Sequence, residues 1–202
     1  MNGEGLRVKR ALLVIDVQNE YFTGKMPVTY PAGSFAKILQ AVAAANQRRI
    51  PVILIRHSAP QPTAVTFVNG SEGWEIRAEL GEKEYTRIVD KNRPGSFTNT
   101  ELENILKTME VDTIVICGYM TQMCCDTTAR QAANRGFAVE FLSDATGTLD
   151  VANEAGTITA AELHKAILIT QAMGFSQVLP TAEWLMKLAE EQIQRARYYN
   201  TG

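Results

Sequence analysis

A chain of 202 residues, 46% hydrophobic and 21% charged, has the composition of an ordinary globular domain with a sizeable core. A net charge of −2 with scattered Lys and Arg leaves no basic footprint for nucleic acid. No apolar run approaches the roughly 20 residues that span a bilayer, and the polar stretch Met1 to Arg10 has no signal-peptide core.

Three cysteines, Cys117, Cys124 and Cys125, crowd into one short stretch. An odd, clustered set is not a disulfide framework, and a reducing, cytoplasmic compartment is expected.

Ala11 to Val17 is an apolar run, read as a buried strand with Asp16 near its C-terminal end. A loop follows over 18–31, then a helix over Ser34 to Gln47 with Phe35, Ile38, Leu39 and Val42 at helical spacing. Pro51 to Arg56 is a second strand. His57 to Gly81 has no clear period and holds Trp74; a loop this long in a compact domain is a lid or binding loop. Thr86 to Val89 is a third strand, with Lys91 just past it. Thr98 and Glu101 fit a capping box that opens a helix to Met109.

The densest segment comes next. Thr113 to Cys117 is a β-branched strand, Gly118 breaks it, and Thr121 is read as the N-cap of a helix over Gln122 to Asn134. Gly136 stops that helix and Phe137 to Leu142 is another strand. A Gly-containing loop covers 146–156. Thr159 and Glu162 fit a second capping box, opening a helix with Leu163, Ala166, Ile167 and Thr170 on its expected inner face. Phe175 to Leu179 is a last strand, and Pro180 and Thr181 open a C-terminal helix to about residue 199, whose Trp184, Leu185 and Leu188 can bury against the sheet or a second subunit.

The alternation reads as one α/β domain over 1–202, with its core at 10–180. Buried, non-alternating strands predict a three-layer α/β/α sandwich around a mostly parallel six-stranded sheet. Ligands of such sheets bind beyond the C-terminal strand ends. Asp16, His57, Lys91 and Tyr119 to Cys124 all fall at that edge.

Cys124 lies three residues after the expected N-cap, where free N–H groups and the helix dipole favour a thiolate and can hold an oxyanion. The competing reading is a buried thiol acting as a small hydrophobe. Asp16 can be a proton acceptor or a cap, and Lys91 can hold the acid and lower the thiol pKa or be solvated. All three groups at one edge favour chemistry. Cys117 and Cys125 are read as core. No G-x-S-x-G elbow, P-loop or G-x-G-x-x-G occurs.

Three ordered segments carry a resemblance: L-L-V-I-D-V-Q-N-E-Y-F around Asp16, D-K-N-R-P-G-S-F-T-N-T-E-L around Lys91, and G-Y-M-T-Q-M-C-C-D-T-T-A-R-Q-A-A-N-R-G-F around Cys124, with S-D-A at Ser143 to Ala145. The chain resembles the isochorismatase-like cysteine hydrolases, which include nicotinamidase, N-carbamoylsarcosine amidohydrolase and streptothricin hydrolase. That likeness implies an isochorismatase-like fold and a triad in which Asp16 is the base, Lys91 its partner and Cys124 the nucleophile. It further implies a cis peptide at Tyr119–Met120, an oxyanion hole from the Met120 and Cys124 amides, and a pocket near Phe22, Trp74 and Tyr119. A homo-oligomer, dimer or tetramer, is implied as well.

The departures narrow the expectation. Nicotinamidases carry an Asp and several His after the second strand; here His57 stands alone, so no metal and no cofactor are expected. Isochorismatases, which hydrolyse a vinyl ether, lack the nucleophilic cysteine. The expected activity is hydrolysis of a C–N bond (amide, lactam, carbamoyl or imide) of a small molecule through a thioester on Cys124. The alternatives are vinyl ether hydrolysis and a non-catalytic relative with a redox-sensitive thiol.

Overall fold

A computed structural model describes residues 8–200; residues 1–7, the start of the polar stretch, lie outside the described residues with 201–202. The main sheet is built from β1 (Arg10–Ile15), β2 (Val52–His57), β3 (Arg87–Lys91), β4 (Thr113–Tyr119), β5 (Ala138–Gly147) and, after the small antiparallel hairpin β6 (Val151–Asn153) and β7 (Gly156–Ile158), β8 (Gln177–Leu179). Its order is β3-β2-β1-β4-β5-β8, and every neighbouring pair is parallel. The helices are α1 (Ser34–Gln47), a short α2 (Ala78–Gly81), α3 (Leu102–Thr108), α4 (Asp126–Asn134), α5 (Ala160–Ala172) and α6 (Thr181–Asn200).

Both faces of the sheet are apolar at its centre, where β1 and β4 are buried along their whole length. Leu12, Val14, Val115 and Cys117 join Ile38 and Val42 of α1 and Trp184 of α6 in one core. The opposite face places Leu13, Ile15, Ile114 and Ile116 against Leu106 of α3 and Ala129 of α4. Trp184 and Leu188 of α6 are thus spent on the chain's own sheet.

Order reverses between β1 and β4, so the crevice at their C-terminal ends is the topological switch point. Gly118 sits beside it, at a register shift between β4 and β5, with φ +117°. A Cβ there would fall on the Ile15 backbone. Gly118→Ala is expected to cost about 3 kcal/mol or more, from positive φ and overlap together. Denaturant unfolding checks this; a wild-type midpoint would mean that β1 and β4 can separate freely.

Several local expectations change. The helix after Lys91 starts at Leu102, not Thr98; Thr98 instead accepts a bond from Gln131 of α4 (2.8 Å), and Thr100 receives the Leu102 amide (3.3 Å). Glu101 turns to Arg87 (3.5 Å). A partner distant in the sequence therefore outcompetes the local cap. Thr121 is not an N-cap: residues 121–125 form a wide turn in which the Cys125 amide reaches back to the Met120 carbonyl (3.2 Å). On α5 the Thr159–Glu162 capping box is present, but the inward face is Ala160, His164, Leu168 and Gln171, while Ala166 and Thr170 are exposed. A polar His and Gln occupy the inner face, which a search for apolar stripes passes over.

Candidate active site

Each strand end delivers one group. β1 finishes at Ile15, and Asp16 turns out of the sheet with φ +51°, a conformation that Asp tolerates better than bulkier residues. Its amide still bonds the Ile55 carbonyl (2.9 Å). β3 ends on Lys91, which pairs in register with His57 at the end of β2. β4 ends at Tyr119, the Tyr119–Met120 peptide is cis, and the wide turn that follows carries Cys124.

The three side chains meet. Lys91 Nζ lies 2.7 Å from Asp16 Oδ2 and 3.3 Å from Cys124 Sγ. It also donates to the Arg93 carbonyl (3.1 Å) and approaches His57 Nδ1 (3.5 Å). Asp16 is fully buried, and Lys91 and Cys124 are only 4% and 6% exposed. Burial opposes the Lys91 charge, but Asp16 and the Cys124 sulfur more than offset it, so the ammonium is held above the ordinary lysine range. His57 is pushed down by burial and by the Lys91 charge, which keeps it neutral.

Cys124 departs from the expectation of a lowered thiol pKa. Burial comes first and raises it, Asp16 adds to that as a neighbouring negative charge and hydrogen-bond acceptor, and Lys91 pulls the other way without prevailing. The resting sulfur is a thiol, so its proton must leave during attack. Asp16→Asn is therefore expected to lower the pH at which Cys124 becomes alkylatable, and Lys91→Met to raise it. Peptide mass spectrometry after iodoacetamide reads both; shifts of the opposite sign would overturn this electrostatic account.

The turn itself is anchored from behind. Thr121 Oγ1 lies 2.8 Å from His164 Nδ1, and His164 Nε2 lies 3.0 Å from the Ser143 carbonyl. The carbonyl only accepts, so Nε2 carries the proton and Thr121 donates to Nδ1. The Met120 carbonyl takes the Met123 (3.1 Å) and Cys125 (3.2 Å) amides and skips the Cys124 amide between them. Gln18, fully buried, fastens the ends of β1 and β2 to the long loop: its amide donates to the His57 (2.9 Å) and Trp74 (2.7 Å) carbonyls, and its oxygen takes the His57 N–H (2.9 Å).

A cavity of about 490 Å³ opens over Cys124, walled by Tyr21, Met26, His57, Phe67, Met120 and Met123 and roofed by residues 59–66 of the long loop. Phe22, Trp74 and Tyr119 stand outside this lining. Phe22 packs on Phe35 and Tyr119, Tyr119 bonds Ser34 (3.1 Å), and Trp74 bonds Ser58 (2.7 Å) under the Arg56 guanidinium. They brace the wall rather than form it. Tyr21 and Phe67 took their places because the loops' path in space decides which aromatic faces inward. Among the described residues, no three His, Cys, Asp or Glu side chains gather as a metal-binding group, and no helix is long and apolar enough to cross a membrane.

The model of the isochorismatase domain matches residues 10–173. The chain belongs to the isochorismatase family. This family member is similar to the secreted isochorismatase effector Isc1 of Verticillium dahliae, at 35% identity over 85% of this chain and 88% of that one. It is also similar to nicotinamidase 3 of Arabidopsis thaliana, at 31% identity over 84% and 83%. Among solved structures, a cysteine hydrolase from Pseudomonas syringae pv. phaseolicola superposes with a TM-score of 0.83 at 29% identity, covering 91% of this chain and 93% of that one. The fold is that of the isochorismatase-like hydrolases.

Proposed function

We propose that this isochorismatase-family protein is a cysteine hydrolase that cleaves a C–N bond of a small amide, lactam, carbamoyl or imide substrate. The observation that carries the reading is the buried Asp16–Lys91–Cys124 contact, with one ammonium 2.7 Å from the acid and 3.3 Å from the sulfur. A structural core has no use for a buried ion pair set directly behind a thiol that lines a cavity.

In this reading Asp16 takes the thiol proton as Cys124 Sγ bonds to the substrate carbonyl carbon, and the carbonyl electron pair moves onto oxygen. The Met120 and Cys124 amides receive that oxyanion. As the tetrahedral adduct collapses, the C–N bond breaks and Asp16 returns its proton to the leaving amine. Water then gives a proton to Asp16 while attacking the thioester, and the same proton restores the Cys124 thiol as the acid departs. Lys91 stays charged throughout, holding the Asp16 carboxyl in place and offsetting charge on sulfur. The free cysteines suit a reducing, cytoplasmic setting.

The test is a panel of small amides, lactams and ureas, with intact-mass detection of an acyl adduct during turnover. Hydrolysis with an adduct that is absent from Cys124→Ala is the expected result. Turnover unchanged in Cys124→Ala would overturn the proposal.

A further inference from the structure

We infer that the substrate of this site presents an uncharged, flat apolar group beside its scissile bond; this rests on the hydrolase reading above. The cavity wall is the reason. Tyr21 and Phe67 rings meet at 5.1 Å, tilted by 59°, and His57 stands edge-on to Phe67 at 5.3 Å, so three rings cluster on the lining. The same lining holds three thioethers, Met26, Met120 and Met123, out of seven methionines in the whole chain. Methionine sulfur is polarisable, contacts ring edges favourably and adapts its shape, so a lining of clustered rings and thioethers suits a planar π-system.

Charge argues the same way. Among the described residues lining the cavity none is Asp, Glu, Lys or Arg. The Lys91 ammonium is already engaged by Asp16, and His57 is held neutral by burial and by Lys91. The Lys25 ammonium lies outside the lining, bound to the Val65 carbonyl of the roof (3.0 Å). A carboxylate or ammonium on the substrate would lose its hydration with no partner inside. Substrates that carry a carboxylate or an ammonium beside the scissile bond therefore lack counter-charges here.

Three methanethiosulfonates test this at Cys124: benzyl (flat, neutral), 2-sulfonatoethyl (anionic) and 2-trimethylammonioethyl (cationic). Each forms a mixed disulfide and expels methanesulfinate, so labelling is read by peptide mass spectrometry and normalised to the same reagent's rate with a free cysteine peptide. The benzyl reagent is expected to label Cys124 at least about tenfold faster than either charged one. Val65→Lys places a cation on an exposed roof position and is expected to raise the sulfonate rate several-fold relative to benzyl, without touching the triad. A charged reagent equal to or faster than benzyl in the unmodified protein overturns the substrate class and leaves the nucleophile standing. Failure of all three to label Cys124 overturns the nucleophile assignment and this inference together.

Discussion

Asp16→Asn is expected to reduce kcat/KM about 10²–10⁴-fold on any substrate the protein hydrolyses, with the fold intact. The argument is local. Asn accepts the left-handed conformation that residue 16 adopts at φ +51°, so the backbone can stay as it is. Its side-chain oxygen can still accept a bond from the Lys91 ammonium, but that buried cation loses its counter-charge, so a lower melting temperature is expected alongside the lost activity. In the proposed mechanism, what disappears is the proton carrier between sulfur and the leaving amine. Cys124→Ala removes the proposed nucleophile and should bring turnover to background. Because the two residues act in one sequence of bonds, the double variant should be no worse than Cys124→Ala alone. Steady-state kinetics with a thermal melt on each variant separates chemistry from folding. Wild-type kcat/KM in a folded Asp16→Asn would remove Asp16 from the mechanism. Lys91→Ala makes a contrast: it leaves a fully buried carboxylate unpaired and should lose about 3–5 kcal/mol of stability as well as activity.

Glu140→Ala is expected to be the most destabilising single change far from the site, about 3–5 kcal/mol. Glu140, in β5 at the end of the sheet away from Cys124, is 3% exposed and takes four bonds from three partners. Arg10 of β1 meets it with two bonds of 2.9 Å, Trp184 Nε1 donates at 2.8 Å, and Lys187 approaches to 2.6 Å. Arg10 also pairs with Glu191 of α6 (2.7 Å), so this cluster fastens the C-terminal helix to the sheet. Removing Glu140 leaves the Arg10 guanidinium with Glu191 alone and the indole N–H with nothing. The pH dependence follows from the same contacts. Burial opposes the Glu140 charge, but bonds from Arg10 and Lys187 prevail and hold its pKa below the ordinary 4.5. Its contribution is therefore fully present above about pH 4.5 and is lost as pH falls through the lower folded-state value. Urea unfolding of wild type and Glu140→Ala at neutral pH and near pH 3 checks this. The gap between them should narrow in acid; a gap that widens would contradict the assigned sign.

The acid and cation of the proposed triad come from the ends of β1 and β3, and its thiol from the turn after β4. Each has a short local signature in the chain, and each falls at a strand end that periodicity alone can place. Their convergence follows from topology, because parallel strands feeding one edge bring all their C-terminal ends together. The Thr159–Glu162 capping box was legible for a related reason: donor and acceptor lie within one helical turn. The apparent box at Thr98 was not real because Thr98 found a partner on α4, 33 residues on.

What the chain determines by itself is therefore its periodic elements, the six strands of its sheet and the residues that end those strands, since these depend on burial patterns and local turn chemistry. The tertiary structure alone decided three other matters. It seated His164 behind Thr121 (2.8 Å), a contact between residues 43 apart. It chose Tyr21, Phe67 and three methionines as the cavity wall in place of Phe22, Trp74 and Tyr119. And it raised the Cys124 thiol where local sequence had suggested lowering it. All three depend on how deeply a side chain is buried and what lies across from it. Burial and Asp16 outweigh the Lys91 charge on that sulfur, a balance set by distances between segments that no run of neighbouring residues records.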